Sequence, residues 1–169
     1  GIQRERTALR ELRAVADLIV DTSALNVHDL KRLVQARFST DDSVTEPSLS
    51  VMSFGYRYGV PPQADLVFDV RFLPNPYFVP ELKGFTGLNA EVSGYVLGQE
   101  DSQAFLDRLE SLCEWLFPRY QREGKAYLTV ALGCTGGKHR SVSLAHELHR
   151  RLSEKGSRVQ VWDRDVDRE

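Results

Sequence analysis

The stretch that decides the fold is Gly-Cys-Thr-Gly-Gly-Lys-His-Arg-Ser at residues 133–141, which lies between an apolar run and an amphipathic segment. The apolar run Tyr127–Leu132 predicts a strand, and Ser141–Lys155 predicts a helix that Gly156 ends. A glycine-rich turn between a strand and a helix directs backbone N–H groups and the positive end of the helix dipole at one point. The sequence therefore predicts an anion site at this turn, with phosphate as its natural occupant.

The side chains of the turn add further donors for an anion. Gly136 and Gly137 let the backbone approach a ligand, Lys138 supplies a point charge, and Arg140 carries a guanidinium that can bind two phosphate oxygens. The other candidate contacts in the turn are Cys134, Thr135, His139 and Ser141. A tight turn with ordinary surface cations is the alternative interpretation.

A catalytic interpretation of the same turn rests on the spacing of Cys134 and Arg140, which are separated by five residues. Cys-x5-Arg-Ser is the spacing of the cysteine-dependent phosphatases, in which a thiolate attacks phosphorus while the arginine holds the phosphate oxygens. Gly133 stands where that class usually has histidine, and no obvious general-acid aspartate follows the usual arrangement. Asp69 is available only if its strand is a neighbour, so catalysis by Cys134 is the weaker hypothesis.

Composition and charge narrow the classes of function. The 169 residues are 41% hydrophobic, which is enough for a core, and the net charge of −2 gives no overall attraction to nucleic acid. Two distant cysteines make no disulfide framework, so we expect a reducing, cytoplasmic location. There is no apolar run of membrane-spanning length and no metal-ligand spacing among the four histidines, so we predict no membrane partner and no metal.

The start of the chain predicts only part of a domain. Residues 4–16 and 27–38 predict helices, and 17–21 predicts a short buried strand, but one strand cannot bury both faces of a sheet. We therefore predict three parts, which are the carboxy-terminal remnant of a larger α/β domain, a polar linker and a complete domain, at residues 1–38, 39–48 and 49–169.

The complete domain is predicted to have an α/β fold, with a mainly parallel β-sheet and helices on both faces. Continuous apolar runs separated by long helices are typical of that fold. Residues 71–100 are rich in Pro, Gly and Asn and predict a long functional loop. Besides the strand and helix that flank the turn, the predicted elements are strands at Leu49–Phe54, Asp65–Val70 and Arg158–Trp162, and a helix at Asp101–Tyr120 that stops near Pro118.

Two other loops follow predicted strands, and ligands bind at such strand ends in parallel sheets. Asp69 and Arg71 point to one side if their strand continues, so they can bind a sugar group and a second anion. The alternative is a structural Asp–Arg pair that fixes the following Pro-Asn-Pro turn. Arg57 lies between two tyrosines that can grip a nucleotide or pack on the core, and Thr86 begins a Thr-Gly-Leu stretch that can form part of a lid.

These motifs together resemble the carboxy-terminal domain of the RapZ/YvcJ family of bacterial nucleotide-binding proteins. The resemblance rests on Ser-Phe-Gly-Tyr-Arg-Tyr-Gly at 53–59, Phe-Asp-Val-Arg-Phe-Leu-Pro-Asn-Pro at 68–76, Thr-Gly-Leu at 86–88 and the turn at 133–141. Residues 16–23 resemble the end of the family's amino-terminal P-loop NTPase domain. The resemblance implies that the first part of the chain is a remnant of that domain.

The resemblance also implies functions. Full-length relatives hydrolyse ATP or GTP, but this sequence has no Gly-x4-Gly-Lys-Ser/Thr loop, so we expect ATP or GTP to bind only in the missing part of the amino-terminal domain, and no cofactor in this chain. The carboxy-terminal domain of relatives binds glucosamine-6-phosphate, presents a small RNA to a ribonuclease and assembles into oligomers. Carried over, the pocket comprises Cys134, Thr135, Gly136, Gly137, Lys138, His139, Arg140, Ser141, Asp69, Arg71 and Asn75, with Ser53, Arg57 and Thr86 as additional candidates.

Two departures from the family pattern bear on RNA binding. Tyr77 stands where RNA-adaptor relatives have histidine, and residues 162–169 are net acidic where those relatives have a basic tail. Because RNA affinity rests on salt-dependent phosphate contacts, we expect the metabolite pocket to be retained better than an RNA surface. The local cations that favour the RNA alternative are Arg57, Arg71, Lys138, Arg150, Arg151 and Arg158.

Overall fold

The computed structural model describes residues 48–123, 125 and 127–168, and before them six isolated residues, which are Thr7, Leu9, Ala16, Val20, Thr22 and Leu30. The chain divides into two compact units, Gly1–Val44 and Thr45–Glu169, and the division falls within the polar segment at 39–48.

Most of what the sequence predicts for the first unit lies outside the described residues. Thr7, Leu9 and Leu30 are helical. Val20 lies in neither a helix nor a strand, so the strand predicted at 17–21 is not seen at the one residue of it that is described.

The second unit is built on a sheet of four parallel strands in the order β2-β3-β1-β4. The strands are β1 (Ser48–Gly55), β2 (Leu66–Asp69), β3 (Tyr127–Cys134) and β4 (Val159–Asp163). The two longest strands, β1 and β3, pair along their whole length at the centre of the sheet. The prediction of an α/β fold on a parallel sheet is confirmed.

Three α-helices accompany the sheet, namely α1 (Ala90–Leu97), α2 (Glu100–Arg122) and α3 (Arg140–Glu154). All three share one hydrophobic cluster with alternate strand residues such as Val51 and Val130, and α3 contacts β1, β3 and β4. The other face of the sheet carries a small cluster of Met52, Phe54 and Ala131. Among the described residues, no helix combines the length and the apolar character needed to cross a lipid bilayer.

Helix α1 lies within the segment that the sequence predicts to be a long loop. The side chain of Asn89 caps the helix by accepting hydrogen bonds from the backbone N–H groups of Glu91 and Val92, at 3.0 and 3.4 Å. Only Val92 and Val96 of this helix are buried. A side-chain cap and apolar packing therefore stabilise this helix, which is too short to show the periodic pattern on which helix prediction depends.

Helix α2 and strand β3 extend beyond their predicted carboxy-terminal ends. Helix α2 continues past Pro118 to Arg122, although a proline removes a hydrogen-bond donor and crowds the carbonyl of the preceding turn, because its fixed φ is itself a helical value. Strand β3 continues through Gly133 to Cys134, because β1 extends its pairing to Gly55 opposite Cys134. Cys134 is therefore a strand residue, and the loop that reaches α3 begins at Thr135.

Because the strands are parallel, their carboxyl ends lie at one edge of the sheet, and the predicted turn at residues 133–141 lies at that edge.

Candidate anion-binding site

A cleft of about 380 Å³ opens at the carboxyl edge of the sheet. The predicted turn supplies Cys134, Thr135, Gly136, Lys138, His139 and Arg140 to its wall, and the remaining lining residues are Arg57, Tyr58, Asn75, Tyr77 and Arg168. Four of these side chains are Lys or Arg, and none of the described lining residues carries a carboxylate. The cleft is therefore suited to a negatively charged ligand.

The backbone of the turn packs directly on the loop that follows β1. A Cβ on Gly137 would lie 2.6 Å from Gly55 N, and a Cβ on Gly55 would lie 2.6 Å from the carbonyl carbon of Gly136. Gly137 also has a φ of +73°, which L side chains rarely adopt. The N–H of Arg57 donates to the carbonyl of Thr135 at 3.1 Å, so Arg57 is fixed relative to the turn.

Helix α3 begins in the cleft without a side-chain cap. His139 occupies the N-cap position, but its side chain makes no capping hydrogen bond, and the first turn of the helix has no acidic residue. The first N–H groups of any α-helix lack partners inside the helix, and the positive end of its dipole lies there. An anion bound at this point would supply both the missing acceptor and the complementary charge.

Arg140 is buried, and carbonyl groups from the loop after β2 hold it. Its Nη1 donates to the carbonyls of Arg71 and Leu73, at 2.9 Å each. Its Nη2 lies 3.5 Å from Thr135 Oγ1, and its Nε is buried with no hydrogen-bond partner. Burial lowers the pKa of Arg140, yet a guanidinium remains charged at physiological pH. The edge formed by Nε and Nη2 is the part of this group that can bind an anion.

Asp69 and Arg71 lie beside the cleft but bind each other. Arg71 Nη2 is 2.6 Å from Asp69 Oδ2, and the guanidinium lies over the ring of Tyr56 at 4.3 Å. The hydrogen bonds from Arg71 hold the pKa of Asp69 below its ordinary value, so this carboxylate is deprotonated at neutral pH. Neither residue lines the cleft. The structure thus has the Asp–Arg pair of the alternative interpretation, and Arg71 serves Arg140 through its backbone carbonyl.

Cys134 and Ser141 lie in the interior, beneath the turn. Cys134 is 2% exposed, Ser141 is fully buried, and Cys134 Sγ lies 3.2 Å from Ser141 Oγ. Cys134 contributes to the wall of the cleft, whereas Ser141 is not among its lining residues. The thiol therefore has a hydroxyl neighbour and little access to solvent.

The additional candidates Ser53 and Thr86 make hydrogen bonds within the protein. Ser53 Oγ donates to Asp163 Oδ1 at 2.6 Å, and the other oxygen of Asp163 lies 2.8 Å from His146 Nε2. Thr86 Oγ1 accepts from the N–H of Leu88 at 3.3 Å. Neither Ser53 nor Thr86 is among the lining residues of the cleft.

Two other parts of the same loop region, at Gly87 and at Asn75, do contact the turn or line the cleft. Gly87 N donates to the carbonyl of Lys138 at 2.7 Å, and a Cβ on Gly87 would lie 2.3 Å from the carbonyl oxygen of His139. This segment therefore packs on the outside of the turn. Asn75 Oδ1 accepts from the N–H of Tyr77 at 3.3 Å and so caps a short 3-10 turn, Pro76–Phe78, on the wall of the cleft.

His139 is partly buried, and burial lowers its pKa from the ordinary value of 6.5. The backbone carbonyls of Phe85 and Lys83 oppose the shift, and the positive charges of Arg140 and Lys138 reinforce it. Its Nε2 is buried without a hydrogen-bond partner. The ring is therefore neutral at pH 7 in the unliganded site.

Two residues at the site, Arg168 and Asp165, are not predicted from the sequence. They lie in the carboxy-terminal segment, residues 162–169, of which only the net charge enters the prediction. Arg168 lines the cleft, and Asp165 is fully buried, with Oδ2 accepting from the N–H of Gly55 at 2.8 Å. The signal in the sequence is the alternation of charge sign in residues 163–165, followed by Val166 and a further Asp-Arg pair. Such alternation suits ion pairing within the segment as well as solvent exposure.

Fold and cleft together define an α/β protein with a cationic cleft at the carboxyl edge of a parallel sheet. A family model described as the RapZ C-terminal domain matches residues 47–167, and one described as the RapZ-like N-terminal domain matches residues 1–42. The chain therefore belongs to the RapZ family, and the resemblance seen in the sequence is confirmed.

Curated relatives match along the chain. Proteins of Myxococcus xanthus, Streptomyces coelicolor and Geobacter metallireducens are 67%, 55% and 51% identical to it. These matches cover 100%, 100% and 99% of this chain and 58%, 56% and 59% of the three relatives, each of which is named a nucleotide-binding protein. The chain thus spans a little under three fifths of the length of the relatives it matches.

The two adjacent glycines of the turn provide a matched pair of variants. We expect Gly137→Ala to lower the free energy of unfolding by about 2 kcal/mol, because the new methyl group meets Gly55 and the backbone has positive φ. Gly136→Ala should change it by less than about 1 kcal/mol, because nothing lies within 4 Å of the added Cβ. Urea denaturation measures both, and equal losses would contradict the described conformation of the turn.

The lowered pKa of His139 predicts a loss of stability in mild acid. Below pH 6.5 the unfolded chain takes up a proton at this residue while the folded chain resists protonation. The free energy of unfolding therefore decreases as the pH is lowered. We expect His139→Gln to remove part of this fall between pH 7 and pH 5.5, as measured by urea denaturation. His149→Gln is the control, because His149 lies on α3 and is not among the residues that line the cleft. A His139 variant with an unchanged pH profile would show that burial does not depress its pKa.

Proposed function

We propose that this domain binds a phosphorylated metabolite, an amino-sugar phosphate or a nucleotide sugar, and that it acts as a regulatory ligand-binding domain. The observation that carries the proposal is the buried Arg140, whose Nε has no hydrogen-bond partner and which is one of the residues that line the cationic cleft. A buried donor without an acceptor is unfavourable, and a phosphate oxygen would satisfy it. The uncapped start of α3 supports the same ligand class.

The remaining features of the cleft fit a small metabolite. Its volume of about 380 Å³ lies within the usual range for small-molecule sites. Thr135, Asn75 and Tyr77 line it and offer hydroxyl and amide groups, which suit the hydroxyl and amino groups of a sugar. Phosphate recognition and sugar recognition can therefore occur in one cleft.

For the longer protein we propose nucleotide binding by the amino-terminal domain. Residues 1–42 match the RapZ-like N-terminal domain, and the relatives carry the name nucleotide-binding protein. The sequence has no Walker-type loop, so we assign ATP or GTP to parts of that domain that this chain does not include. We also propose a cytoplasmic location and assembly into a homo-oligomer, as the family resemblance implies.

The geometry favours binding of the phosphate over its hydrolysis. Hydrolysis of a phosphate ester by a cysteine enzyme requires an acid that protonates the leaving group. Asp69, the candidate acid, is ion-paired with Arg71 and has a lowered pKa, so it lacks the required proton at neutral pH. Cys134 is 2% exposed beneath the turn.

The described cations support RNA binding less well than metabolite binding. Arg71, Arg150 and Arg151, which are among the cations that motivate the RNA alternative, face carboxylates of the same chain. Arg71 pairs with Asp69, Arg150 pairs with Glu147, and Arg151 pairs with Glu147 and Asp107. Each such pair reduces the charge that could replace counterions along an RNA backbone. We therefore retain an RNA surface, and delivery of RNA to a ribonuclease, as the second candidate.

Calorimetric titration with glucosamine-6-phosphate and with a nucleotide sugar tests the proposal. We expect binding of at least one of them, and a loss of about tenfold in affinity for Lys138→Ala, because a charge-assisted contact to phosphate is removed. Lys155→Ala, whose lysine pairs with Glu110 and Glu114 away from the cleft, should leave affinity unchanged. If the wild-type chain binds neither ligand, or if the two variants behave alike, the proposed site is wrong.

A chromogenic phosphomonoester assay tests the absence of hydrolysis. We expect no turnover by the wild-type chain above that of Cys134→Ser, because the site lacks a protonated acid next to the thiol. Turnover that the serine substitution abolishes would establish the thiol mechanism instead. Asp69→Asn distinguishes a role of that carboxylate, since it keeps the shape of the side chain but removes its charge.

A further inference from the structure

The segment after β1 and the carboxy-terminal segment each add a cation to the cleft, and the two form a group separate from the cations of the turn. Arg57 and Arg168 both line the cleft, together with Tyr58. Their guanidinium carbons lie 5.8 and 5.2 Å from the centroid of the Tyr58 ring. We refer to these three residues as the Arg57–Arg168 group.

A buried carboxylate positions Arg168. Asp165 is fully buried, and its Oδ1 lies 3.3 Å from Arg168 Nε, an ion-pair distance without hydrogen-bond geometry. Its Oδ2 accepts from the N–H of Gly55 at 2.8 Å, which attaches the segment to the end of β1. The N–H of Arg168 also donates to the carbonyl of Asp165 at 3.2 Å. Arg168 is therefore placed by the fold, although its side chain is 55% exposed.

The charge of this group is not cancelled by its own carboxylate. Asp165 faces two guanidinium groups, because Arg164 Nη2 donates to its Oδ2 at 2.6 Å while Arg168 lies beside its Oδ1. Arg57 adds another positive charge, and its backbone N–H is bonded to Thr135 of the turn. Two cationic groups, the turn and the Arg57–Arg168 group, thus stand on the wall of one cleft, and the backbone hydrogen bond from Arg57 to Thr135 connects them.

We propose that the cleft binds a metabolite with two anionic groups, one at the turn of residues 133–141 and one at the Arg57–Arg168 group. This rests on the proposed function and narrows its ligand class from phosphorylated metabolites in general to doubly anionic ones, such as a hexose bisphosphate. A ligand with a single phosphate at the turn leaves the positive charge of the second group without an anionic partner from the ligand. A second anionic group supplies that partner through charge-assisted hydrogen bonds.

Calorimetric titration with glucosamine-6-phosphate and with fructose-1,6-bisphosphate, at one ionic strength, tests the inference. We expect the wild-type chain to bind the bisphosphate about tenfold more tightly, because the second phosphate gains charge-assisted contacts. Arg168→Ala should lose most of that advantage while its affinity for the monophosphate changes less than about twofold. Arg108→Ala is the matched control, since Arg108 is exposed on α2 and bonds to the carbonyl of Ala104. It should leave both affinities unchanged.

The outcomes separate the two proposals. Equal affinities of the wild-type chain for the two ligands, or an equal loss of both in Arg168→Ala, would overturn the inference and leave the phosphate site standing. Binding of neither ligand would overturn the inference, and failure to bind a nucleotide sugar as well would overturn the proposed function. Asp165→Asn provides a second variant, because it keeps the acceptor for Gly55 N but weakens the hold on Arg168. It should reduce the advantage of the bisphosphate, and circular dichroism would confirm that the variant is folded.

Discussion

The contact on which the carboxyl edge of the sheet depends is the close approach of two backbones, that of Gly55 and that of Gly136 and Gly137. Pairing of β1 with β3 up to the last residue of each strand delivers the two loops side by side. They can then touch only because neither Gly55 nor Gly137 has a side chain, since a Cβ on either would lie 2.6 Å from the other loop. Asp165 completes the arrangement from the end of β4 by accepting the N–H of Gly55. Three loops from three parallel strands are thereby joined at one point.

Arg140 gives the site its second constraint, because the same guanidinium has a structural role and the binding role that we propose for it. Nη1 joins the turn to the carbonyls of Arg71 and Leu73, so the loop after β2 cannot move independently of the start of α3. Nε remains buried without an acceptor, which is costly for a charged group. A bound anion would relieve that cost, so the free energy of ligand binding includes the satisfaction of a donor that folding leaves unpaired. The position of Arg140 is therefore set before any ligand arrives.

The sequence predicts the frame of this domain well because the frame depends on local pattern. The apolar runs of β1 and β3 and the periodic pattern of α3 are sufficient to locate the turn between them. The sequence does not reveal contacts that depend on backbone carbonyls or on distant partners. Arg71 is singled out for its side chain, yet it serves Arg140 through its carbonyl, and Asp165 bonds to Gly55 across 110 residues. Nothing in the composition of either segment encodes those pairings.

The carboxy-terminal segment shows why net charge is a poor guide to what a short stretch does. Residues 163–168 comprise three Asp, two Arg and one Val, which gives a net charge of −1, but burial separates the two signs. Asp165 is fully buried, while Arg168 reaches the cleft, so a segment that looks acidic adds a cation to the site. The same sorting operates at Asp69, where Arg71 holds the carboxylate in its charged form and removes the proton that hydrolysis would need. Both carboxylates therefore pair with arginines, and the charged state of Asp69 is the physical reason to infer that the turn holds a phosphate without cleaving it.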